Sequence, residues 1–167
     1  MNVKSKGKNQ KVNFKGIKLL ILDVDGVMTD GSIIYDSQGN EYKVFNVQDG
    51  TGIELLRENG IRVAFITGRF SPIIARRASE LGVEDVFQGV REKVSPLCEL
   101  ISKYKFIKEE ICAMGDDLLD IPLLEGVGVP VAVLNARPEV KKIAKYVTNV
   151  SGGKGAVREV SELILDA

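Results

Sequence analysis

The chain has 167 residues, of which 44% are hydrophobic and 28% charged, a composition that excludes a disordered or fibrous protein and suits one globular domain. It has no histidine, which excludes a Ser-His-Asp triad, a histidine general base and histidine-ligated zinc or haem. The net charge is zero, but residues 1–18 hold six lysines and no acid, so the remainder, with 17 basic and 23 acidic residues, carries a charge of −6. We expect residues 1–15 to form a solvated basic tail, and the acidic remainder argues against nucleic-acid binding.

Beyond this tail, apolar runs of strand length alternate with helical patterns. In chain order, the sequence predicts strand 19–24, a hairpin at 32–45, helix 52–59, strand 63–66, helix 72–81, strand 86–87, helix 93–104, strand 111–114, helix 118–125, strand 129–133, helix 138–146 and helix 156–165. Repeated strand–helix units are typical of a parallel sheet covered by helices on both faces. The pattern therefore predicts a doubly wound, Rossmann-like α/β fold, with one domain over residues 16–167.

The hairpin interrupts the alternation directly after the first strand, where a crossover helix would be expected. Its two short β patterns flank an Asp-Ser-Gln-Gly-Asn turn at residues 36–40. Turn-forming residues between two β patterns are typical of a β-hairpin. We therefore predict a flap over residues 31–46.

Neither the start of the chain nor its apolar runs indicate a membrane or secreted protein. No apolar run approaches the roughly 18 residues of a membrane-spanning helix, and the lysine-rich start lacks the apolar region of a signal peptide. We therefore expect a cytoplasmic protein that does not associate with membranes. Cys98 and Cys112 have no metal-binding spacing, and in a reducing compartment we expect both to be buried free thiols.

Polar residues follow four of the predicted strands at their ends. They are Asp23 and Asp25 at the first strand, Thr67, Gly68 and Arg69 at the second, Lys93 soon after the third, and Asp116, Asp117 and Asp120 at the fourth. Ligands of open parallel sheets bind beyond the carboxyl ends of the strands. Clustered carboxylates without histidine or thiolate select Mg²⁺, and a threonine and a lysine nearby can bind a phosphoryl group.

Each of these motifs also has a purely structural explanation. A lone Asp-x-Asp is common in turns, Thr-Gly-Arg is less specific still, a single lysine is usually solvated, and Gly-Asp-Asp is compatible with a turn followed by a helix cap. Their joint occurrence, each at a strand end and in a consistent order, favours a functional site.

The motifs also resemble those of a known superfamily. Four segments resemble the motifs of the haloacid dehalogenase-like phosphatases: Asp23-Val24-Asp25-Gly26-Val27, Thr67-Gly68 after a hydrophobic strand, Lys93, and Gly115-Asp116-Asp117 with Asp120. More narrowly, residues 25–31, 45–50, 67–69, 87–89 and 152–159 are similar to the 3-deoxy-D-manno-octulosonate 8-phosphate phosphatase family. This resemblance spans nearly the whole chain. It implies hydrolysis of that sugar acid phosphate to phosphate and the free eight-carbon acid, a precursor of lipopolysaccharide in Gram-negative bacteria.

The resemblance also implies roles for the aspartates. Asp23 would be the nucleophile that forms an aspartyl phosphate, and Asp25 would protonate the leaving sugar oxygen and later deprotonate the attacking water. Mg²⁺ would be bound by Asp23, by the backbone carbonyl of Asp25 and by Asp116.

The remaining motif residues would support this chemistry. Thr67 and Lys93 would hold the phosphoryl oxygens as charge develops in the transition state. Asp117 and Asp120 would be outer groups that orient Lys93 or the metal ligands.

The spacing between the motifs leaves no room for the cap domain that covers the site in larger members of the superfamily. Segments 25–67 and 67–93 accommodate only the flap and one helical unit each. The resemblance implies a homotetramer, in which a neighbouring subunit's flap and C-terminal tail, residues 150–167, complete the pocket. Gly152-Gly153-Lys154-Gly155 would supply an unusual backbone path and a cation, whereas the structural alternative is a flexible loop before the last helix.

The substrate carries a carboxylate besides its phosphate, so further cations are expected at the site. Arg69 is the first candidate and Arg77 a second, with Gly68, Asp49 and Lys154 as further substrate-binding residues by resemblance. By the resemblance, related enzymes that act on nine-carbon sugar acid phosphates tend to have an acidic residue at this position, so Arg69 favours the eight-carbon substrate. The sequence departs from the family at Gln48, where arginine is common, which affects the sugar contact expected from that segment.

Three alternatives differ from this interpretation. The chain could act on a nine-carbon sugar acid phosphate, or serve as a noncatalytic oligomerisation module, although a degenerate module would be expected to lose the nucleophile or the lysine. A signalling receiver domain has its phosphorylated aspartate after the third strand, where this chain has Gln88-Gly89. That placement argues against a receiver.

Overall fold

The computed structural model describes residues 12–167, and most of the basic tail predicted at 1–15 lies outside them. Eight strands are present: β1 Leu19–Leu22, β2 Ile34–Tyr35, β3 Glu41–Tyr42, β4 Arg62–Ile66, β5 Asp85–Phe87, β6 Ile111–Gly115, β7 Val129–Ala132 and β8 Tyr146–Val147. Six α-helices accompany them: α1 Val47–Glu58, α2 Pro72–Glu80, α3 Val94–Tyr104, α4 Ile121–Glu125, α5 Pro138–Ile143 and α6 Ala156–Leu165.

Six strands form one parallel sheet in the order β5-β4-β1-β6-β7-β8. β1 lies at its centre, and all four of its apolar side chains are fully buried because the strand is covered on both faces. The strand order reverses on either side of β1, which confirms the doubly wound α/β fold. Within residues 12–167 there is no cap domain, as the motif spacing predicts.

The predicted flap is present as an antiparallel hairpin in which β2 pairs with β3. The side chain of Asp36 accepts hydrogen bonds from the backbone N–H groups of Gln38 and Asn40, both at 2.9 Å. Gly39 has a φ of +86°, a conformation that glycine adopts without strain. The hairpin prediction is therefore confirmed, although its paired strands are only two residues long.

Helix α1 begins at Val47, five residues before the predicted start at residue 52. Asn46 caps it by accepting a hydrogen bond from the Gln48 N–H at 2.8 Å. Gly50 and Gly52, near the start of this helix, favour a loop when considered alone. Gly52, however, lets α6 approach closely, because a Cβ there would lie 2.9 Å from the Ser161 hydroxyl. Tertiary packing thus outweighs the low helix propensity of glycine.

Two other element boundaries were also predicted wrongly. The first strand ends at Leu22 rather than at residue 24, because the chain turns after Asp23. The helix predicted over 138–146 ends at Ile143, and Tyr146–Val147 instead forms the edge strand β8 beside β7.

The C-terminal segment 150–167 packs on its own domain. Val157 and Val160 on α6 are fully buried where this helix lies against α1. A Cβ at Gly152 would lie 1.8 Å from the Gly26 carbonyl oxygen, and the Gly153 N–H donates to the Val27 carbonyl at 2.9 Å. The glycines therefore allow close contact with the loop after β1 of the same chain, and the contribution of this segment to a neighbouring subunit's pocket stays a prediction.

The expectation for the two cysteines is half right. Cys112 on β6 is buried, but Cys98 on α3 is exposed, because Leu97 and Leu100 occupy the buried face of that helix. Both thiols are free. No helix among residues 12–167 has the length and apolar character that crossing a bilayer requires.

Candidate active site

Three neighbouring strands bring their polar ends to one edge of the sheet. β4, β1 and β6 are adjacent and parallel, so Thr67, Asp23 and Asp116 follow their carboxyl ends at the same edge. The Asp23 N–H extends the ladder by donating to the Met114 carbonyl at 3.1 Å, and the Thr67 N–H donates to the Phe87 carbonyl at 2.9 Å. The fold therefore assembles the strand-end residues that the sequence predicts to cluster.

A tight turn after β1 brings the first and last motifs together. The Val24 carbonyl accepts from the N–H groups of Met28 at 2.9 Å and Thr29 at 3.1 Å. Gly26 has a φ of +101°, and a Cβ at this position would lie only 2.2 Å from the Asp116 Oδ2 atom. Glycine here is thus required both by the backbone conformation and by the approach of the Asp116 carboxylate.

A buried lysine joins two of the aspartates. The ammonium of Lys93, whose side chain is 3% exposed, lies 2.6 Å from Asp23 Oδ1 and 2.6 Å from Asp120 Oδ1. Burial alone would lower the pKa of Lys93, but the carboxylates of Asp23 and Asp120 outweigh it and raise that pKa. Lys93 therefore remains a cation at this edge of the sheet.

Asp120 is fully engaged within the protein. Its second oxygen, Oδ2, accepts from the N–H groups of Asp116 at 2.9 Å and Asp117 at 3.1 Å. Asp120 thereby orients both Lys93 and the loop that carries Asp116, in line with the outer role expected of it. Asp117 is exposed, and its side chain accepts a hydrogen bond from the Leu118 N–H.

Burial and the neighbouring carboxylates raise the pKa of two aspartates in this cluster. Burial, together with the charge of Asp120, raises the pKa of Asp23 to about 8 despite the opposing effect of Lys93. Burial and the charges of Asp120 and Asp117 likewise raise the pKa of Asp116 to about 7. An additional cation beside these two groups would lower both pKa values and favour the fully ionised pair at neutral pH.

This donor set fits a magnesium ion. Single oxygens of Asp23, Asp116 and Asp120 all lie within 4.8 Å of one another. Since both Asp120 oxygens already accept hydrogen bonds, Asp23 and Asp116 are the carboxylates available to a metal. Hard oxygen donors without imidazole or thiolate suit Mg²⁺, and the space that Gly26 leaves free admits the Asp116 carboxylate.

Residues 67–69 form the wall of the site beside β4. Thr67 is almost fully buried, and its hydroxyl accepts from the Arg69 N–H at 3.4 Å. Gly68 is open, because a Cβ there would meet only the Val90 carbonyl at 3.8 Å. The Arg69 guanidinium extends toward the flap, where it donates to the Tyr35 hydroxyl at 3.1 Å.

The flap brings charged side chains to the site that the sequence analysis did not identify. The Lys43 ammonium donates to Asp25 Oδ1, while Glu41 accepts from Arg69 at 3.0 Å and from the Ser71 hydroxyl at 2.6 Å. One signal was available in the sequence: Glu41 and Lys43 are two residues apart, so in an extended strand they share one face, opposite Tyr42.

Two of the expected substrate-binding residues, Asp49 and Arg77, are engaged elsewhere, and a third, Lys154, is exposed. Asp49 is 1% exposed and accepts from the Arg158 N–H at 2.9 Å, so it caps the start of α6. Arg77 pairs with Glu80 at 3.3 Å. Within residues 12–167, no hydrogen bond or ion pair joins these three residues to the strand-end aspartates.

Comparison with known proteins identifies relatives across most of the chain. Residues 78–160 match the haloacid dehalogenase-like hydrolase family. The chain is 47% identical over 149 residues to the 3-deoxy-D-manno-octulosonate 8-phosphate phosphatase of Yersinia pestis, covering 89% of this chain and 80% of that protein. It is 44% identical over 151 residues to the Salmonella typhi protein of the same name, covering 90% and 80%.

Solved structures agree with these matches. A crystal structure of the Yersinia pestis phosphatase has a TM-score of 0.88 at 47% identity, covering 90% of this chain and 81% of that chain. A Moraxella catarrhalis 3-deoxy-D-manno-octulosonate 8-phosphate phosphatase in complex with a magnesium ion, a phosphate ion and KDO has a TM-score of 0.89 at 43% identity, covering 92% and 88%. With such identity over most of both chains, this chain belongs to the 3-deoxy-D-manno-octulosonate 8-phosphate phosphatase family of haloacid dehalogenase-like hydrolases.

Proposed function

We propose that this protein is a Mg²⁺-dependent phosphatase that hydrolyses 3-deoxy-D-manno-octulosonate 8-phosphate to the free sugar acid and phosphate, in the synthesis of lipopolysaccharide precursors. The observation that carries the proposal is the buried Lys93 ammonium, 2.6 Å from Asp23, at the strand edge where Asp116 also lies. Family membership supports the substrate, and the relative solved with magnesium, phosphate and KDO supports the cofactor.

Asp23 is the proposed nucleophile. One of its carboxylate oxygens attacks phosphorus, a P–O bond forms to Asp23, and the bond from phosphorus to the sugar oxygen breaks. Lys93 fixes Oδ1 of Asp23, which leaves the other oxygen free for in-line attack. Thr67 and Lys93 donate hydrogen bonds to the phosphoryl oxygens as negative charge develops on them.

Asp25 is the proposed acid and base. In the first half-reaction its proton passes to the departing sugar oxygen. In the second half-reaction, Asp25 removes a proton from the water that attacks phosphorus. The bond from phosphorus to Asp23 then breaks, which releases phosphate and restores the Asp23 carboxylate. Asp25 lies two residues beyond Asp23 in the sequence, and its charge helps to raise the pKa of Asp116, which supports a position in the same cluster.

The carboxylates of Asp23 and Asp116, together with the backbone carbonyl of Asp25, would hold the magnesium ion. When bound, the ion supplies positive charge that keeps these carboxylates ionised and draws a phosphate oxygen into position. The raised pKa values of Asp23 and Asp116 support this assignment, since a cation beside them would favour their ionised forms at neutral pH. Asp117 and Asp120 act outside this set, by shaping the loop and orienting Lys93.

Arg69 is the proposed partner of the substrate carboxylate. It lies two residues after Thr67, and its guanidinium already binds the carboxylate of Glu41 at 3.0 Å. A substrate carboxylate can replace that single contact and also accept from the unpartnered Nε atom of Arg69, which gives a bidentate pair. Gly68 leaves the backbone open beside it.

The experiment is steady-state phosphate release from a panel of eight- and nine-carbon sugar acid phosphates and an aryl phosphate, with and without Mg²⁺. We expect Mg²⁺-dependent turnover with the highest kcat/KM for the octulosonate phosphate. Asp23→Asn should be inactive and Asp25→Asn strongly impaired, whereas Glu99→Gln on the exposed face of α3 should match the wild type. Equal kcat/KM for the aryl phosphate and the octulosonate phosphate would contradict the assigned substrate.

We further propose a cytoplasmic homotetramer built from one phosphatase domain over residues 16–167. Large apolar side chains are exposed on and beside the flap, and Val47 and Phe70 are both 77% exposed. Such a surface around an uncapped site suits burial against further copies of the chain, which would also exclude water. Sedimentation of the purified protein tests this, and a fully active monomer would contradict it.

A further inference from the structure

One flap residue contacts the proposed acid and base directly. The side chain of Lys43 is 2% exposed, and its ammonium donates a hydrogen bond to Asp25 Oδ1. Glu41 Oε1 lies 3.4 Å from the same ammonium. This buried ammonium thus has two carboxylate partners, which distinguishes it from an ordinary solvated lysine.

The strand geometry of the flap aims Lys43 at the site. Side chains alternate along an extended strand, so Glu41 and Lys43 face the domain while Tyr42 and Val44 face outward and are exposed. Glu41 anchors this face through its 2.6 Å contact with the Ser71 hydroxyl, at the start of α2. The hairpin is therefore fastened to the domain on the side that carries Lys43.

The two oxygens of Asp25 have different surroundings. Oδ1 accepts from Lys43, whereas Oδ2 is buried and accepts no hydrogen bond from any of the residues 12–167. The Nε atom of Arg69 lies 3.9 Å from Oδ2 and also has no hydrogen-bond partner among these residues. One oxygen of Asp25 is thus held by the protein, and the other is left for a further partner.

We propose that Lys43 is a positioning residue that fixes Oδ1 of Asp25, so that Oδ2 exchanges the proton with the leaving oxygen and then with water. This rests on the acid and base role of Asp25 given under Proposed function. A carboxyl group keeps an accepting oxygen in both its protonated and its ionised forms. The contact with Lys43 therefore persists through both half-reactions, and the flap contributes to catalysis within its own subunit.

The test compares Lys43→Met with the matched control Lys108→Met, a lysine that is 66% exposed and precedes β6 at the opposite end of the sheet. We expect Lys43→Met to lower kcat by about 10- to 100-fold with KM changed less than about threefold, since loss of alignment at the reacting atoms acts on the chemical step. Lys43→Arg, which keeps the charge and the donors, should recover most of kcat.

A double variant separates positioning from a general structural effect. If Lys43 acts through Asp25, adding Lys43→Met to Asp25→Asn lowers kcat by less than about twofold, because the group it positions is already lost. If Lys43 only stabilised the flap, Lys43→Met would instead lower kcat by the same factor in the wild type and in Asp25→Asn. That additive result would overturn the proposal.

A crystallographic readout keeps this test independent of the proposed reaction. In structures of the wild type and Lys43→Met, we expect the Asp25 carboxyl to leave its position or to occupy two rotamers in the variant. An unmoved Asp25 with unchanged kcat would refute the role of Lys43 and leave the phosphatase function standing. If Asp25 is displaced in the variant but the wild type hydrolyses no sugar acid phosphate, the proposed function is refuted, whereas the positioning of Asp25 by Lys43 is supported.

Discussion

Replacing Lys93 by methionine should destabilise the metal-free protein severely. The substitution removes two 2.6 Å charge-assisted contacts and leaves the carboxyl groups of Asp23 and Asp120, both almost fully buried, without their cation. Removing one partner of a buried ion pair costs about 3–5 kcal/mol, because the remaining charge is desolvated and unpaired. Domains of this size have a free energy of unfolding of about 5–15 kcal/mol, so a large fraction of the stability is at stake.

The difference in free energy of unfolding between the wild type and Lys93→Met should increase above about pH 8, the pKa to which burial raises Asp23. In the wild type, Asp23 ionises there beside the ammonium. In Lys93→Met the lowering effect of that ammonium is gone, so Asp23 keeps its proton to higher pH. The folded variant then binds more protons than the folded wild type, and its free energy of unfolding falls more steeply, by up to about 1.4 kcal/mol per pH unit.

Urea denaturation in EDTA at pH 7 and pH 9 measures both effects. Lys103→Met is the matched control: its ammonium also lies 2.6 Å from a carboxylate, that of Asp85, but the lysine side chain is 50% exposed. Asp85 keeps a hydrogen bond from the Tyr104 hydroxyl, so the control should scarcely move the midpoint. Equal midpoint shifts for the two variants, or a loss at Lys93 that is the same at both pH values, would refute the argument from buried charge.

Two further predictions concern the proposed metal ligands and the start of the last helix, α6. Mg²⁺ should bind the metal-free protein more tightly as pH rises from about 6 to 9, because Asp23 and Asp116, with pKa values of about 8 and about 7, must release their protons to bind it. Calorimetry in two buffers measures that proton release, and a pH-independent affinity would contradict the prediction. Asp49→Ala should lower the free energy of unfolding by about 1–2 kcal/mol in urea titrations by uncapping α6, with KM unchanged; a raised KM in a stably folded variant would instead favour a sugar contact.

The sheet was predictable because its signal is local. Continuous apolar runs such as Leu19–Leu22 require burial on both faces, and the helices between them have clear caps or periodicity. The errors occur where packing between distant segments decides the structure. Gly52 favours a loop when considered alone, yet α1 includes it because Ser161 on α6 packs directly against it.

The candidate site shows the same division. Asp23, Thr67, Lys93 and Asp116 were identified because each follows a strand end, and parallel strands bring those ends together. The contacts of Arg77 and Asp49 could not be predicted in this way, since they depend on how α1, α2 and α6 pack. An arginine or aspartate near a motif in sequence is a substrate ligand only if the helix that carries it faces the site.

The arrangement of charge gives each aspartate of the Asp23-Val24-Asp25 segment its own lysine. Lys93, at the start of α3, binds Asp23, and Lys43, from the flap, binds Asp25. In both pairs the lysine contacts Oδ1, so each carboxyl group is fixed at one oxygen. In the proposed mechanism these two carboxylates have opposite tasks, so they must not exchange orientations or partners during turnover. Separate lysines, from two elements that are far apart in the sequence, would provide that distinction in a chain without histidine.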